Sequence, residues 1–203
     1  MSFKDNGYSF IQNVLPKELC DIATQYALFQ KMNDYESIHV ESDIDGQVPG
    51  SHSVHADSLM ESFLLFLKPV VEKHSQLELI PTYSMYRIYN SGDTLPIHTD
   101  RASCEISMTI TLGYKYDVID ENYKWPIFIE NNPIVIEHGD AVLYRGCEKE
   151  HWRESLNVGK NSYHVQLFLH YVDANGPYAE KYKYDERPSI GLKLHHLNRI
   201  KGF

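Results

Sequence analysis

Residues Tyr89–Asp100 read YNSGDTLPIHTD and end in the pair His98-x-Asp100. Side chains two residues apart lie on one face of an extended strand, because strand side chains alternate with a period of two. An imidazole beside a carboxylate supplies two-thirds of the two-histidine, one-carboxylate site that holds non-haem Fe(II). The stretch therefore predicts part of a metal site, with a third ligand contributed by another part of the chain.

Two other His-x-Asp pairs occur, at 55–57 and 138–140, so the spacing alone does not identify the site. In the first pair, Asp57 stands where a helix is predicted to begin, and aspartate is a favoured cap at that position. The second pair spans Gly139 in a predicted turn, where aspartate commonly bonds nearby backbone. Only the pair at 98–100 follows a predicted strand and a glycine turn, so the metal role is assigned to it.

The third ligand is expected from a strand that is distant in the sequence but adjacent in space. His151 is the first candidate, because it follows the apolar run 141–145 and a glycine turn. His164 is the rival, inside the last strong strand pattern, and His138 comes third because it lies on the turn before 141–145. The residues alone leave these alternatives open.

The composition indicates a folded, acidic protein. Of its 203 residues, 42% are hydrophobic and 12% aromatic, which is enough to form a sizeable core. The formal net charge is −9 and no long Lys/Arg block occurs, which argues against a nucleic-acid partner held by bulk electrostatic attraction. The cysteines Cys20, Cys104 and Cys147 form no CxxC motif and suit reduced thiols in the cytoplasm. No signal peptide is recognised and no apolar run approaches the roughly 20 residues that span a bilayer, so no membrane partner is expected.

The first part of the chain is predicted to be helical. Apolar residues recur at helical spacing and predict a helix from about 16 to 30, followed by a long polar loop at 31–56. A second helix is predicted to run to about residue 74. It begins with the capping box Ser58–Glu61, or with Asp57 as the competing cap. Pro69 is expected to kink or split this helix.

From Pro81 onward the hydrophobic pattern changes from helical to strand-like. Short β-branched and aromatic runs with no helical pattern between them favour an antiparallel core in an α+β fold. The chain is interpreted as one domain, 1–203, with a helical part to about 80, a β core at about 81–172 and a C-terminal arm at about 173–203. The predicted strands are Thr82–Tyr89, Glu105–Leu112, Pro126–Glu130, Ile134–Glu137, Ala141–Arg145 and Tyr163–Val172.

Four features of the β part follow one another in the order of a known family: Tyr89-x-x-Gly92, His98-x-Asp100, Gly139-Asp140 before an apolar strand, and His151. They resemble the Fe(II)/2-oxoglutarate-dependent dioxygenases, in particular the prolyl 4-hydroxylase-like branch. The segments 85–89 and 101–105 also resemble bacterial and phage members whose substrates are uncharacterised. The resemblance covers roughly residues 80–172, and the helical part is similar in outline.

The resemblance implies a fold, a metal and a reaction. The family folds as a double-stranded β-helix, a jelly-roll or cupin-like core with N-terminal supporting helices. By resemblance His98, Asp100 and His151 bind Fe(II), and Tyr89 bonds a carboxylate of the cosubstrate 2-oxoglutarate. The implied reaction hydroxylates a C–H of a peptide or protein side chain or of a small molecule, while 2-oxoglutarate and O2 become succinate and CO2. Metal-bound chemistry carries this reaction, so no separate protein acid or base is assigned.

The family also places a basic residue on the last core strand, where it pairs with the distal carboxylate of 2-oxoglutarate. The usual position is the tenth after the second histidine, with Ser or Thr two residues further on. Here the tenth residue is Asn161, whereas Lys160 and Ser162 keep the expected relation one position earlier. Arg87 and Arg153 are the competing cations, because each lies two residues from an implied site residue on a predicted strand.

The substrate mouth is predicted less sharply than the metal site. Arg101, Trp152 and Arg153 are candidates for lining it, whereas Arg145 is interpreted as a surface ion-pair residue. The alternative function is a cupin-like metal- or ligand-binding module without 2-oxoglutarate turnover, which would lack the basic anchor. A nucleic-acid demethylase is a weaker hypothesis because of the acidic charge. The motifs do not name the substrate, since one fold serves many reactions.

Overall fold

The computed structural model describes residues 2–36 and 46–192. The helices are α1 (Phe3–Asn6), α2 (Lys17–Glu36), α3 (Ser58–Ser75) and α4 (Ala179–Tyr182). The strands are β1 (Tyr8–Ile11), β2 (His52–His55), β3 (Leu79–Asn90), β4 (Leu95–His98), β5 (Ile106–Lys115), β6 (Ile127–Ile129), β7 (Asn132–Ile134), β8 (Ala141–Arg145), β9 (His151–Arg153) and β10 (Tyr163–Asp173). Short 3-10 turns lie at Ala102–Cys104 and Lys183–Glu186.

The strands form two antiparallel sheets. The large sheet has the order β1-β8-β5-β10-β3-β2, and the small sheet has the order β4-β9-β6-β7. The sheets face each other, because Tyr89 and Phe168 of the large sheet pack in one apolar cluster with Leu95 of the small sheet and with Trp125. Helices combined with antiparallel sheets confirm the predicted α+β class.

Strand β10 shows that the large sheet separates two environments. Val165, Leu167 and Leu169 belong to the main apolar core, together with residues of α2 and α3. The intervening side chains of Gln166 and His170 point to the opposite face, because strand side chains alternate. There both are buried and hydrogen-bonded. The space between the two sheets is therefore a polar interior.

Helix α3 begins as one of the two predicted alternatives. The Asp57 carboxylate accepts hydrogen bonds from the backbone N–H groups of Leu59 and Met60, so Asp57 rather than Ser58 is the cap. Pro69 lies inside α3, which runs unbroken to Ser75, so the helix is not split there. The apolar face of α3 packs in the main core, and this burial offsets the hydrogen bond that proline removes.

Several short strands were not predicted. Strand β1 lies in the part predicted to be helical, and β2 lies in the predicted loop 31–56, of which 37–45 are outside the described residues. Helix α2 also continues into that loop, to Glu36. Strand β7 ends at Ile134, where the predicted strand began. Three- and four-residue strands carry too few alternating positions to produce a periodic signal, and their partners define them.

The C-terminal arm folds back onto the helical side as far as residue 192, and its remaining residues lie outside the described part of the chain. Arg187 is buried, and its guanidinium donates hydrogen bonds to the Glu61 carboxylate and to the carbonyl oxygen of Thr82. This pairing fixes the arm against α3 and β3. Among the described residues, no helix has the length and apolar character needed to cross a membrane.

Gly139 tests the predicted turn before β8. Its φ is 79°, and a Cβ there would lie 2.2 Å from the carbonyl oxygen of Leu15. Both the left-handed backbone and the clash oppose a side chain, so we expect Gly139→Ala to lower the free energy of unfolding by about 2 kcal/mol in urea denaturation. Gly46→Ala is the matched control, because nothing lies within 4 Å of a Cβ at that position. Equal stability of the two variants would contradict the packing of this turn.

Candidate metal centre

The pairing of β4 with β9 brings the two histidines of the candidate site together. His98 lies directly opposite His151 in the register of the two strands, and their ring centroids are 4.1 Å apart. Asp100 follows β4, and its Oδ1 lies 3.6 Å from Nε2 of His98 and 3.5 Å from Nε2 of His151. One potential ligand atom from each residue lies within 4.8 Å of the others, which is a spacing that could hold a metal ion.

Backbone carbonyl groups orient both imidazole rings. Nδ1 of His98 is 2.8 Å from the oxygen of Pro96, and Nδ1 of His151 is 2.9 Å from the oxygen of Lys149. A carbonyl only accepts hydrogen bonds, so in each ring Nδ1 carries the proton and Nε2 keeps its lone pair. Both Nε2 atoms are directed at the Asp100 carboxylate. The donor set therefore fits a metal with two imidazole ligands and one carboxylate ligand.

The second carboxylate oxygen of Asp100, Oδ2, is held by a hydrogen bond from the protein. Ser107 donates a hydrogen bond of 2.9 Å to Oδ2, and the backbone N–H of Asp100 donates to the oxygen of Gly146 at 2.8 Å. A Cβ at Gly146 would lie 2.5 Å from Oδ2 of Asp100 and 2.1 Å from the carbonyl oxygen of Cys104. The close approach of three segments thus requires glycine at this position and leaves Oδ1 to face the histidines.

The charge states of these side chains suit metal binding. Burial opposes ionisation of Asp100, but its contacts with His151, His170 and the Ser107 hydroxyl prevail and lower its pKa to about 2. Burial also lowers the pKa of His98. At neutral pH the site therefore combines a carboxylate with a neutral imidazole, the states in which these groups coordinate metals.

A second group of potential ligands consists of Asp100, Cys104 and His170, and it shares the Asp100 carboxylate with the first. Its members already bond to the protein. The Cys104 sulfur lies 3.1 Å from the Tyr83 hydroxyl, and Nδ1 of His170 lies 2.9 Å from the Ser107 hydroxyl. The second group therefore forms hydrogen bonds that support the first group.

The three residues lie at a cavity of about 1040 Å³ between the sheets. Leu95 and Phe168 supply apolar walls near the metal centre, and Arg87 supplies a buried cation. This volume accommodates a small cosubstrate together with part of a larger ligand. Besides the metal group, the described lining also includes His55, Tyr83, Arg101, Asp185 and Glu186.

The residues predicted to bind the cosubstrate separate into two groups. Arg87 and Tyr89 lie together in the buried interior, where Nη1 of Arg87 donates to the Tyr89 hydroxyl at 3.0 Å. Lys160 is exposed on the turn before β10 and is not part of the cavity lining. Ser162 is buried, but its hydroxyl accepts a hydrogen bond from the backbone N–H of Asp117. The structure therefore places Arg87 in the lining of the cavity at the candidate metal centre, with Tyr89 bonded to it, whereas Lys160 and Ser162 are not in that lining.

Arg153 belongs to the polar interior instead of the predicted substrate mouth. It is only 1% exposed and lies over the Trp125 ring, with its guanidinium carbon 4.4 Å from the ring centroid. Its guanidinium donates to the Trp125 carbonyl and to Oε1 of Gln166. Within residues 2–36 and 46–192, no acidic side chain forms an ion pair with it. A buried guanidinium without a counterion is costly, so its position suits an anionic ligand.

The remaining predicted mouth residues lie apart. Arg101 is at the cavity, where it forms two hydrogen bonds with the Asp185 carboxylate at 2.7 and 2.8 Å. Trp152 stacks on Phe128 with ring centroids 5.2 Å apart and is not among the lining residues. Arg145 pairs with Glu148 near the surface, in line with its interpretation as an ion-pair residue.

The rival histidines have other partners. His164 is buried, with its ring nitrogens bonded to the Tyr116 hydroxyl and to Gln166, and His138 stacks on Tyr114. Neither belongs to a group of closely spaced potential ligands among the described residues. The other two His-x-Asp pairs also keep their local roles: Asp57 caps α3, and Asp140 accepts a hydrogen bond from the backbone of Asn13.

Four residues of the site were not predicted: Ser107, Gly146, Gln166 and Asp185. The turn glycine after the strand 141–145 was a usable signal for Gly146, because a glycine between a strand and a candidate ligand often permits a close approach. The other three carried no signal. Each of the three bonds a residue that is distant in the sequence: Ser107 bonds His170, Gln166 bonds Arg153, and Asp185 bonds Arg101. Such contacts cannot be read from one sequence.

Comparison with known proteins adds structural likeness only. No protein-family model matches the sequence, and a search of curated proteins finds no match. The viral collagen prolyl hydroxylase of Paramecium bursaria Chlorella virus-1 in its 2-oxoglutarate complex is 10% identical, with 83% of this chain and 97% of that chain covered at a TM-score of 0.60. A Pseudomonas putida prolyl-4-hydroxylase is 14% identical, with coverage of 84% and 95% and a TM-score of 0.60.

The non-haem α-ketoglutarate-dependent epimerase SnoN from nogalamycin biosynthesis is 12% identical, with 94% of this chain and 88% of that chain covered at a TM-score of 0.66. At these identities the likeness shows a shared fold. The chain has the fold of prolyl hydroxylases and other 2-oxoglutarate-dependent oxygenases, which confirms at that level the resemblance predicted from the residues.

Ser107 provides a test of how the metal carboxylate is held. Removal of its hydroxyl frees Oδ2 of Asp100, so we expect Ser107→Ala to weaken Mn(II) or Fe(II) binding about 10- to 100-fold in anaerobic calorimetry. Ser84→Ala is the matched control, because Ser84 is buried on β3 of the same sheet and its hydroxyl has no hydrogen-bond partner among the described residues. Unchanged metal affinity in Ser107→Ala would show that the carboxylate is oriented without this bond.

Proposed function

We propose that the protein is an Fe(II)- and 2-oxoglutarate-dependent dioxygenase with a double-stranded β-helix core. It hydroxylates a C–H of a peptide or protein side chain or of a small molecule. One observation carries the proposal: His98, Asp100 and His151 converge on a cavity whose lining also includes the buried guanidinium of Arg87. When bound there, the iron with 2-oxoglutarate and O2 supplies the oxidising chemistry and yields succinate and CO2.

The three proposed metal-binding side chains have different roles. His98 and His151 present Nε2 lone pairs because backbone carbonyls fix their tautomers. Asp100 supplies one negative charge through Oδ1, while its Oδ2 accepts a hydrogen bond from Ser107. With three protein ligands, the site would leave other positions of a bound metal open to the cosubstrate and to O2.

We assign the distal carboxylate of 2-oxoglutarate to Arg87 and Arg153 instead of Lys160. Both arginines are 1% exposed. They approach each other across Gln166, which lies directly opposite Arg87 in the β3–β10 register and accepts a hydrogen bond from Arg153. The anchor thus comes from β3 and β9, and the last strand contributes a neutral amide where the family usually has a cation.

Tyr89 completes this carboxylate site. Its hydroxyl oxygen accepts a hydrogen bond from Arg87, so its own proton remains to be donated to an anion. The Tyr89 ring packs against Trp125 and Phe168 in the apolar cluster between the sheets. That apolar surround excludes water and strengthens the charge-assisted hydrogen bonds of the bound carboxylate.

Domain organisation and location belong to the same proposal. We treat residues 1–203 as one domain, because both long helices pack on the large sheet. The three cysteines are free thiols, which suits a reducing compartment such as the cytoplasm. The second candidate function is a cupin-like module that binds metal without 2-oxoglutarate turnover. The absence of a cation on the last strand favours it, and binding of 2-oxoglutarate decides between the two.

The metal assignment is tested by turnover without substrate. We expect Asp100→Ala and His151→Ala to abolish the conversion of 2-oxoglutarate to succinate, because each removes one of three metal ligands. Succinate is measured by mass spectrometry with Fe(II) and ascorbate present. His164→Ala is a control for loss of a buried histidine. Turnover at the wild-type rate in either ligand variant would contradict the assignment of the metal ligands.

The anchor assignment is tested by titrating 2-oxoglutarate into the anaerobic Mn(II) protein. We expect Arg87→Met and Arg153→Met each to weaken binding about 10- to 100-fold, because each removes charge-assisted hydrogen bonds. Lys160→Met is the matched control and should bind as the wild type does. If only Lys160→Met loses affinity, the anchor is on the last strand after all. If the wild type binds no 2-oxoglutarate, the metal-binding module is the better description.

A further inference from the structure

The cavity of the metal centre continues past the edge strand β2 to the helical side of the large sheet. We call this part the outer lobe. Tyr86 and Arg87 are adjacent in β3, so their side chains lie on opposite faces of the sheet, Arg87 with the metal centre and Tyr86 with the outer lobe. The outer lobe is lined by Tyr26, Gln30, Asp34, Val54, Asp57, Ser58 and Tyr86.

Two buried polar atoms, one in the lining of the outer lobe and one on a residue next to that lining, have no hydrogen-bond partner among the described residues. They are the Tyr86 hydroxyl and Nε2 of His52, whose side chains are 0% and 6% exposed. Their rings are neighbours, with centroids 6.1 Å apart, and Nε2 of His52 lies 3.5 Å from Oδ2 of Asp34. Buried polar groups are nearly always hydrogen-bonded in native proteins, so the unpartnered Tyr86 hydroxyl in the cavity lining points to a ligand.

The charged side chains that line the outer lobe are the carboxylates of Asp34 and Asp57, and the nearby ammonium group of Lys31 donates a hydrogen bond to Asn90. Asp57 is already engaged, since it caps α3 and accepts a hydrogen bond from the Tyr26 hydroxyl. Asp34 faces His52, and burial lowers the pKa of His52, so this histidine is neutral at pH 7 and does not offset the carboxylate charge. Burial and the charges of Asp57 and Asp34 also raise the pKa of Tyr86 well above its usual value, so its hydroxyl stays neutral.

We propose that the outer lobe is the specificity pocket of the oxygenase and binds a primary ammonium group of the substrate. The carboxylate of Asp34 and the hydroxyl oxygen of Tyr86 offer acceptors to the N–H donors of an ammonium group. A bare metal ion suits the pocket less well, because neither group of closely spaced potential ligands in the described part of the chain includes Asp34 or His52. The inference rests on the proposed function and narrows its substrate class to amines.

The probe is 1,5-diaminopentane, titrated into the anaerobic Mn(II) protein saturated with 2-oxoglutarate, with 1,5-pentanediol as the uncharged control. We expect the diamine to bind and the diol to bind at least about tenfold more weakly, because the diol lacks the positive charge. Tyr86→Phe and Asp34→Asn should each weaken diamine binding about tenfold. Equal affinities for diamine and diol, or unchanged binding in Tyr86→Phe, would overturn the inference.

Thermal unfolding separates a binding role from a structural one. Tyr86→Phe removes a hydroxyl that has no partner among the described residues, so the melting temperature of the free protein should not fall. Tyr171→Phe is the matched control on the same face of the sheet, because the Tyr171 hydroxyl donates to the carbonyl oxygen of Leu64. It should lower the melting temperature and leave diamine binding intact. The reverse pattern would count against the inference.

Binding of 2-oxoglutarate distinguishes failure of this inference from failure of the proposed function. Tyr86→Phe and Asp34→Asn should bind 2-oxoglutarate and form succinate without substrate as the wild type does. If the wild type binds 2-oxoglutarate but does not prefer the diamine, the ammonium pocket is wrong and the oxygenase proposal stands. If the wild type binds neither, the proposed function fails first.

Discussion

The pairing of β4 with β9 is the interaction on which the candidate site depends. Both strands are short, and neither would be stable alone, yet their register sets His98 opposite His151. Strand β9 is held in turn by β6, so the small sheet fixes the position of both rings. Asp100 lies next to the large sheet. There its side chain accepts a hydrogen bond from Ser107, and its backbone N–H donates to the carbonyl oxygen of Gly146.

The polar interior explains why a small protein buries so many costly groups. Arg87, Arg153, Gln166 and His164 are all at most 1% exposed between the sheets. Desolvation of a guanidinium opposes folding unless hydrogen bonds and an anion compensate it. The main apolar core, on the other face of the large sheet, is spared this cost and supplies the stability. Because its polar side chains lie on one face and its apolar side chains on the other, the large sheet contributes to both binding and folding.

The C-terminal arm joins the metal centre to the helical side. Asp185 binds Arg101, the residue after Asp100, and Arg187 binds Glu61 of α3. Tyr184 and Asp185 have positive φ values of 53° and 55°, a conformation that non-glycine residues adopt only when their contacts require it. The arm therefore covers one side of the cavity, and the outer lobe opens on the other side of β2.

Local sequence determined much of this protein. Helical periodicity placed α2 and α3, alternation placed β3, β5, β8 and β10, and the His98-x-Asp100 spacing with His151 identified three residues that converge, because each signal is carried by neighbours along the chain. Contacts between distant segments were decided only by the tertiary structure. The short strands β4 and β9 exist because they pair. Lys160 lies on an exposed turn, whereas Arg87 lies opposite Gln166 in the strand register and Arg153 donates a hydrogen bond to Gln166. Strand register rather than residue count therefore sets which cation faces the interior.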